Sequence, residues 1–179
     1  MQLGHKVFHS EQYVEREPEK KLILDAIAAK RPGVFIFEGD RGVGKTSLLF
    51  ALFLILDKAD DIQPFVVCLF PYDAPELQGK KNVWLAQEPF GVNDLNILLQ
   101  KVTSYWDIKV TPNAGDEARK EYFARGLVGA ESKPIPVLLI DSIYECDENT
   151  RQALDKYLIS PLVASGRCFI ILSGRGKAP

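Results

Sequence analysis

Apolar residues run unbroken through three short stretches of the chain: Val34 to Phe37, Val137 to Ile140 and Phe169 to Leu172. This is how strands buried on both faces of a parallel sheet read. Two further strand candidates, Phe65 to Phe70 and Val83 to Gln87, are separated by the turn-rich segment YDAPELQGKKN. They read as a hairpin at a sheet edge, or as a single sheet strand formed by the second alone. Helical spacing fills the intervals. Leu22, Ile23, Ala26, Ile27 and Lys30 follow Pro18, which suits a first helical turn, and Pro32-Gly33 ends that helix. Further helices are predicted from Lys45 to Asp57, from Asn93 as N-cap to Trp106, from Asp116 to Leu127, and from an Asp147 cap to Leu158.

Strand and helix in alternation predict an α/β fold with a mainly parallel sheet and helices on both faces. One helix breaks the amphipathic rule: LLFALFLIL, Leu48 to Leu56, is apolar on every side. Such a helix needs cover all round, and the chain offers few elements for its outer side, so a missing segment or a partner chain is expected there.

Composition narrows the class. The chain has 179 residues, 46% of them apolar, enough for one core without disulfides or a structural metal. It reads as a single domain over residues 1–179, an arm at 1–17 followed by a core at 18–179. The formal charge of −2 argues against nucleic acid or an anionic membrane as an electrostatically driven partner. Three cysteines without CxxC spacing and two histidines argue against zinc and for a reducing compartment. No apolar segment approaches the ~20 residues of a bilayer crossing, and no secretory signal opens the chain. The expectation is a cytoplasmic protein.

Candidate chemistry is concentrated in Gly39-Asp40-Arg41-Gly42-Val43-Gly44-Lys45-Thr46, which satisfies G-x-x-x-x-G-K-[ST] between a buried strand and a helix. Glycines let consecutive N–H groups turn inward around phosphate oxygens, and the helix amino end adds partial positive charge. Lys45 is expected on the β- and γ-phosphates and the Thr46 hydroxyl on Mg²⁺. Asp141, ending the strand Val137 to Ile140, is the second expected Mg²⁺ ligand, at the crevice where α/β sheets bind ligands. Glu145, four residues on, is the best placed base or water-orienting group. Arg175, after FIILSG, is expected near the terminal phosphate, where it would sense or stabilise charge.

With those residues in hand, the sequence resembles the nucleotide-binding core of STAND-class ATPases, relatives of AAA+ proteins that include NACHT and NB-ARC switches. Tyr13-Val14-Glu15-Arg16-Glu17 resembles the aromatic-Val-Gly-Arg-Glu motif that borders the adenine, with Glu15 in place of glycine. Gly39 to Leu48, including Ser47, matches the phosphate loop, and LLIDSIYE resembles the NACHT form LLLDGxDE, with Asp141 on the metal aspartate, Glu145 on the later acidic position and Tyr144 departing from an acidic one. LSGRG resembles the strand end that carries the sensor arginine, here Arg175.

The resemblance implies a P-loop NTPase αβα sandwich of strand order 5-1-4-3-2, truncated after the sensor arginine. The fifth strand, the helical lid and the winged-helix domain would be missing. It implies ATP or ADP with Mg²⁺ as ligands, and Val14, Arg16 and Gly39 to Ser47 around the nucleotide. It further implies slow ATPase activity in a signalling or defence switch, with self-association or absent C-terminal domains as partners. An ATPase of the origin-recognition or transposition-helper kind, acting on DNA, is the alternative. Ser142 standing directly after Asp141, where AAA+ motors carry glutamate, disfavours a vigorous motor and keeps a non-hydrolysing nucleotide-binding role open.

Overall fold

A computed structural model describes residues 16–109 and 134–175. Residues 1–15 of the expected arm, Val14 among them, and the helix expected at 116–127 lie outside them. Five strands form one parallel sheet in the order β1-β5-β4-β2-β3: β1 Val34–Glu38, β2 Ile62–Cys68, β3 Val83–Leu85, β4 Ile135–Asp141 and β5 Phe169–Gly174. All neighbours pair in parallel, so every carboxyl end opens on the same edge of the sheet.

The expected hairpin of β2 and β3 does not form. The 69–82 connection carries the chain back to the starting edge, through a 3-10 turn at Pro75–Leu77, and both strands join the sheet in parallel. Strand β2 also begins earlier than its apolar run, at Ile62, and includes Pro64. The Val66 N–H and the Cys68 carbonyl point toward β3, bonding Asn82 and Ala86, so Pro64 faces that same side. The β3 ladder begins only at Val66, so no bond is lost to the missing N–H of proline. The Asn82 amide bonds the Pro64 carbonyl instead, at 3.0 Å.

Alternate residues of the strands divide two cores. Val66, Cys68, Val137, Leu139, Phe169 and Ile171 pack beneath helices α1 (Glu17–Ala28) and α2 (Lys45–Leu56). Phe65, Val67, Leu138, Ile140, Ile170 and Leu172 pack on the opposite face. There they meet α3 (Leu95–Tyr105) and a helical run made of α4 (Glu148–Leu154), a π-type turn (Asp155–Ile159) and α5 (Ser160–Ala164). Helix α2 is covered more fully than its sequence promised. Leu48, Leu49, Phe50, Leu52 and Phe53 are fully buried among the sheet, Ile23 and Ile27 of α1, and the Tyr72–Leu77 segment; Ile55 stays 42% exposed.

Two helix ends differ from the sequence pattern. Lys30 does not continue α1: it sits at φ 51°, and the Lys30 and Arg31 amides return to Ile27 and Ala26, the paired bonds of a Schellman stop. Asn93 is not the cap of α3, because a 3-10 turn at Val92–Asp94 precedes it and the Asp94 carboxylate accepts the Gly91 N–H at 2.9 Å. Asp147 does cap α4, accepting the Thr150 amide at 3.0 Å and its hydroxyl at 2.6 Å. Among the described residues no helix is long and apolar enough to cross a membrane.

Candidate functional site

The loop from Gly39 to Gly44 joins β1 to α2 at the carboxyl edge of the sheet. Gly44 is the N-cap of α2 at φ 85°, a left-handed conformation that an L side chain adopts only under strain. Helix α2 begins directly after it, so the amides of Lys45, Thr46 and Ser47 have no acceptor one turn earlier and face the loop. An amino end of this kind, free donors plus the helix dipole, favours an anion. The Lys45 side chain is folded into the loop, with Nζ donating to the Gly39 carbonyl at 2.7 Å and the Asp40 carbonyl at 2.9 Å. Arg41 and Asp40 are exposed on its outer rim.

Asp141 ends β4 and is brought against this loop. Its carboxylate is 3% exposed and accepts the Thr46 hydroxyl at 3.0 and 3.1 Å from its two oxygens. The Ser142 hydroxyl donates at 3.0 Å, and the Ser173 hydroxyl donates to Oδ1. The Cys68 thiol lies 3.6 Å from Oδ2, and its own pKa is pushed well above the ordinary range by burial and by the charge of Asp141. These partners are hydroxyls and a thiol rather than a lysine or arginine. Burying a carboxylate among neutral donors carries a solvation cost that a bound cation would offset.

The Asp141 carboxylate and the Thr46 hydroxyl are hard oxygen groups of the kind Mg²⁺ takes, whereas the Cys68 thiol is not. Among the described residues no group of three or more His, Cys, Asp and Glu could hold a metal. A magnesium ion on Thr46 and Asp141 would therefore complete its shell with phosphate and water, as Mg²⁺ commonly does.

Three features flank the loop. Arg16, just before α1, donates to the Val43 carbonyl, so the arginine expected on the adenine side touches the Gly39–Gly44 loop. Tyr72 comes down from the β2–β3 connection and hydrogen-bonds Ser47; burial and Asp141 raise its pKa. Glu145, in the 3-10 turn Ile143–Glu145 after β4, pairs with Arg175 at 3.2 Å through Oε1, while its Oε2 is buried with no hydrogen-bond partner among the described residues. Glu145 and Arg175 are thus brought to each other.

Sequence reasoning missed Ser173 and Cys68 as partners of Asp141, and Tyr144 as a neighbour of the loop strand. A single polar residue ending an apolar run, as Ser173 ends FIIL, is the signal that was present for the first. Ser142 was noticed only as a departure, whereas it takes φ 66° and turns its hydroxyl onto Asp141.

No protein-family model and no curated protein matches this chain. Among solved structures, it is similar to the cytoplasmic domain of the Thermomonospora curvata Type VII secretion ATPase EccC, at 15% identity and a TM-score of 0.45. The alignment covers 80% of this chain and 16% of that one. The five-stranded parallel α/β architecture is itself consistent with a P-loop NTPase-like fold.

Proposed function

We propose that this chain is the ATP-binding and slowly hydrolysing core of a larger STAND-type switch protein of signalling or defence. The observation that carries this is the 3.0 Å approach of the Thr46 hydroxyl to the Asp141 carboxylate at the amino end of α2. That approach supports the reading because it brings together, across 95 residues of sequence, the hydroxyl and the carboxylate expected to hold magnesium. Thr46 and Asp141 would hold Mg²⁺, which supplies positive charge to the β- and γ-phosphate oxygens.

Lys45, now on the Gly39 and Asp40 carbonyls, exchanges them for those phosphates. The exchange costs little, because charged oxygens are stronger acceptors than the carbonyls they replace. Arg175 is 51% exposed on its side chain, free to turn from Glu145 to a terminal phosphate. Coupling the ion pair to the γ-phosphate gives ATP and ADP different contacts, which is what a nucleotide switch requires.

The finer class rests on the sequence resemblance, and two features support it. The Arg16 contact with Val43 agrees with an amino-terminal motif that borders the nucleotide. With β3 counted as an added edge strand, the order β1-β5-β4-β2 corresponds to the 1-4-3-2 part of the implied sheet.

The test is magnesium-dependent phosphate release from ATP by the purified chain, with and without chelator. Lys45→Ala is expected to lower the rate by about 100-fold or more, since it removes a preorganised cation from the transferring phosphoryl group. Equal rates for this variant and the wild type would reject the proposal.

A further inference from the structure

Strands β1, β5 and β4 are neighbours, and their carboxyl ends hold Glu38, Gly174 and Asp141 along one edge. Glu38 is the last residue of β1, directly before Gly39, and is in register with Gly174 of β5. Phe35 and Phe37 pack into the core beneath α2, so strand alternation turns Glu38 to the other side of the sheet, where it is exposed. Tyr144 leaves the turn after β4 and hydrogen-bonds Glu38. To do so it crosses the end of β5, lying directly on Gly174. A Cβ at position 174 would stand 2.3 Å from Tyr144 Cδ2, so only glycine admits the ring. Burial and the charge of Glu38 raise the pKa of Tyr144, which keeps the phenol protonated and makes it the donor.

Glu145 and Glu38 are therefore in different conditions. One oxygen of Glu145 is committed to Arg175 and the other is buried. Glu38 is open to water and one residue from the carbonyl that holds the Lys45 ammonium, the group expected on the terminal phosphates.

We infer that Glu38, held by the Tyr144 hydroxyl across Gly174, is the carboxylate that orients and deprotonates the attacking water; the inference rests on the ATPase reading above. In that step the water oxygen bonds to the γ-phosphorus as the bond from the γ-phosphorus to the β–γ bridging oxygen breaks. The proton of the water passes to Glu38 and then to solvent, and ADP and inorganic phosphate leave. Tyr144 is a positioning residue, acting through Glu38.

Three measurements on the full chain test this: single-turnover hydrolysis of Mg-ATP, nucleotide affinity by calorimetry, and the gain in ADP affinity on adding aluminium fluoride. Glu38→Gln is expected to slow hydrolysis about 100-fold or more while ATP affinity stays within about threefold, and to abolish the aluminium fluoride gain. Tyr144→Phe is expected to slow hydrolysis about tenfold at unchanged affinity, a split that general loosening of the fold would not give. Glu145→Gln is expected to change the rate by less than about threefold. If Glu38→Gln hydrolyses ATP at the wild-type rate while Glu145→Gln stalls, the inference falls and the ATPase reading stands. If the wild-type chain takes up no nucleotide, both fall.

Discussion

At the scale of single residues, Asp141 has the most unusual surroundings, a buried carboxylate cradled by Thr46, Ser142 and Ser173 hydroxyls and the Cys68 thiol. On the function proposed above, this cradle takes a magnesium ion, whose charge would offset that of the buried carboxylate. Asp141→Asn keeps the shape and removes the charge. It is expected to leave the thermal midpoint of the nucleotide-free chain unchanged or higher while abolishing the magnesium dependence of nucleotide binding. A loss of about 3 kcal/mol in chelator would instead mean that Asp141 belongs to a buried ion pair. The carboxylate itself was legible, since four apolar residues followed by aspartate mark a strand end. Its cradle was not, because Ser173 and Cys68 reach it through the neighbouring strands β5 and β2, and strand order is a property of the whole sheet. The same reason hid Tyr144, whose path over Gly174 exists only because β5 lies between β1 and β4.

At the scale of elements, the continuous apolar runs that became β4 and β5 could be read directly, because burial on both faces leaves no room for polar residues; β1 was found by the same pattern but stands at the sheet edge, with Val34 and Ile36 exposed on one face. The pairing of β2 with β3 could not, since a short apolar strand carries no mark of its direction. Helix α2 finds most of its cover within the chain. Its cover comes from Ile23, Ile27 and the Tyr72–Leu77 segment, which lie far from it in sequence. Two substitutions separate inside from outside by chemical denaturation. Phe53→Ala, at a fully buried position, is expected to cost about 3–5 kcal/mol, whereas Ile55→Lys is expected to stay within about 0.5 kcal/mol.

Helix α4 offers a pH test. The Thr150 hydroxyl and amide lower the pKa of its Asp147 cap, so the folded state holds the ionised form. The stabilisation is present above the ordinary carboxylate pKa and is lost as pH falls through the lowered value. Asp147→Ala is expected to lower the melting temperature at neutral pH, with the difference from wild type shrinking at acid pH; a pH-independent difference would reject the cap as its source.

At the scale of the molecule, the sheet collects the ends of β1, β5 and β4, the Gly39–Gly44 loop and the amino end of α2 at one edge, and the two cores hold that edge from behind. Thr46 and Asp141 are 95 residues apart in sequence and meet where one hydroxyl bonds both carboxylate oxygens. The central claim is that this meeting point takes up magnesium and a nucleotide together. Its most direct test is a calorimetric titration of the full chain with Mg-ATP, repeated in chelator and with Lys45→Ala. The account expects one nucleotide per chain with a dissociation constant below about 100 μM, weakened about tenfold or more by either change. No detectable uptake of ATP or ADP at millimolar concentration, or uptake indifferent to both magnesium and Lys45, would contradict it.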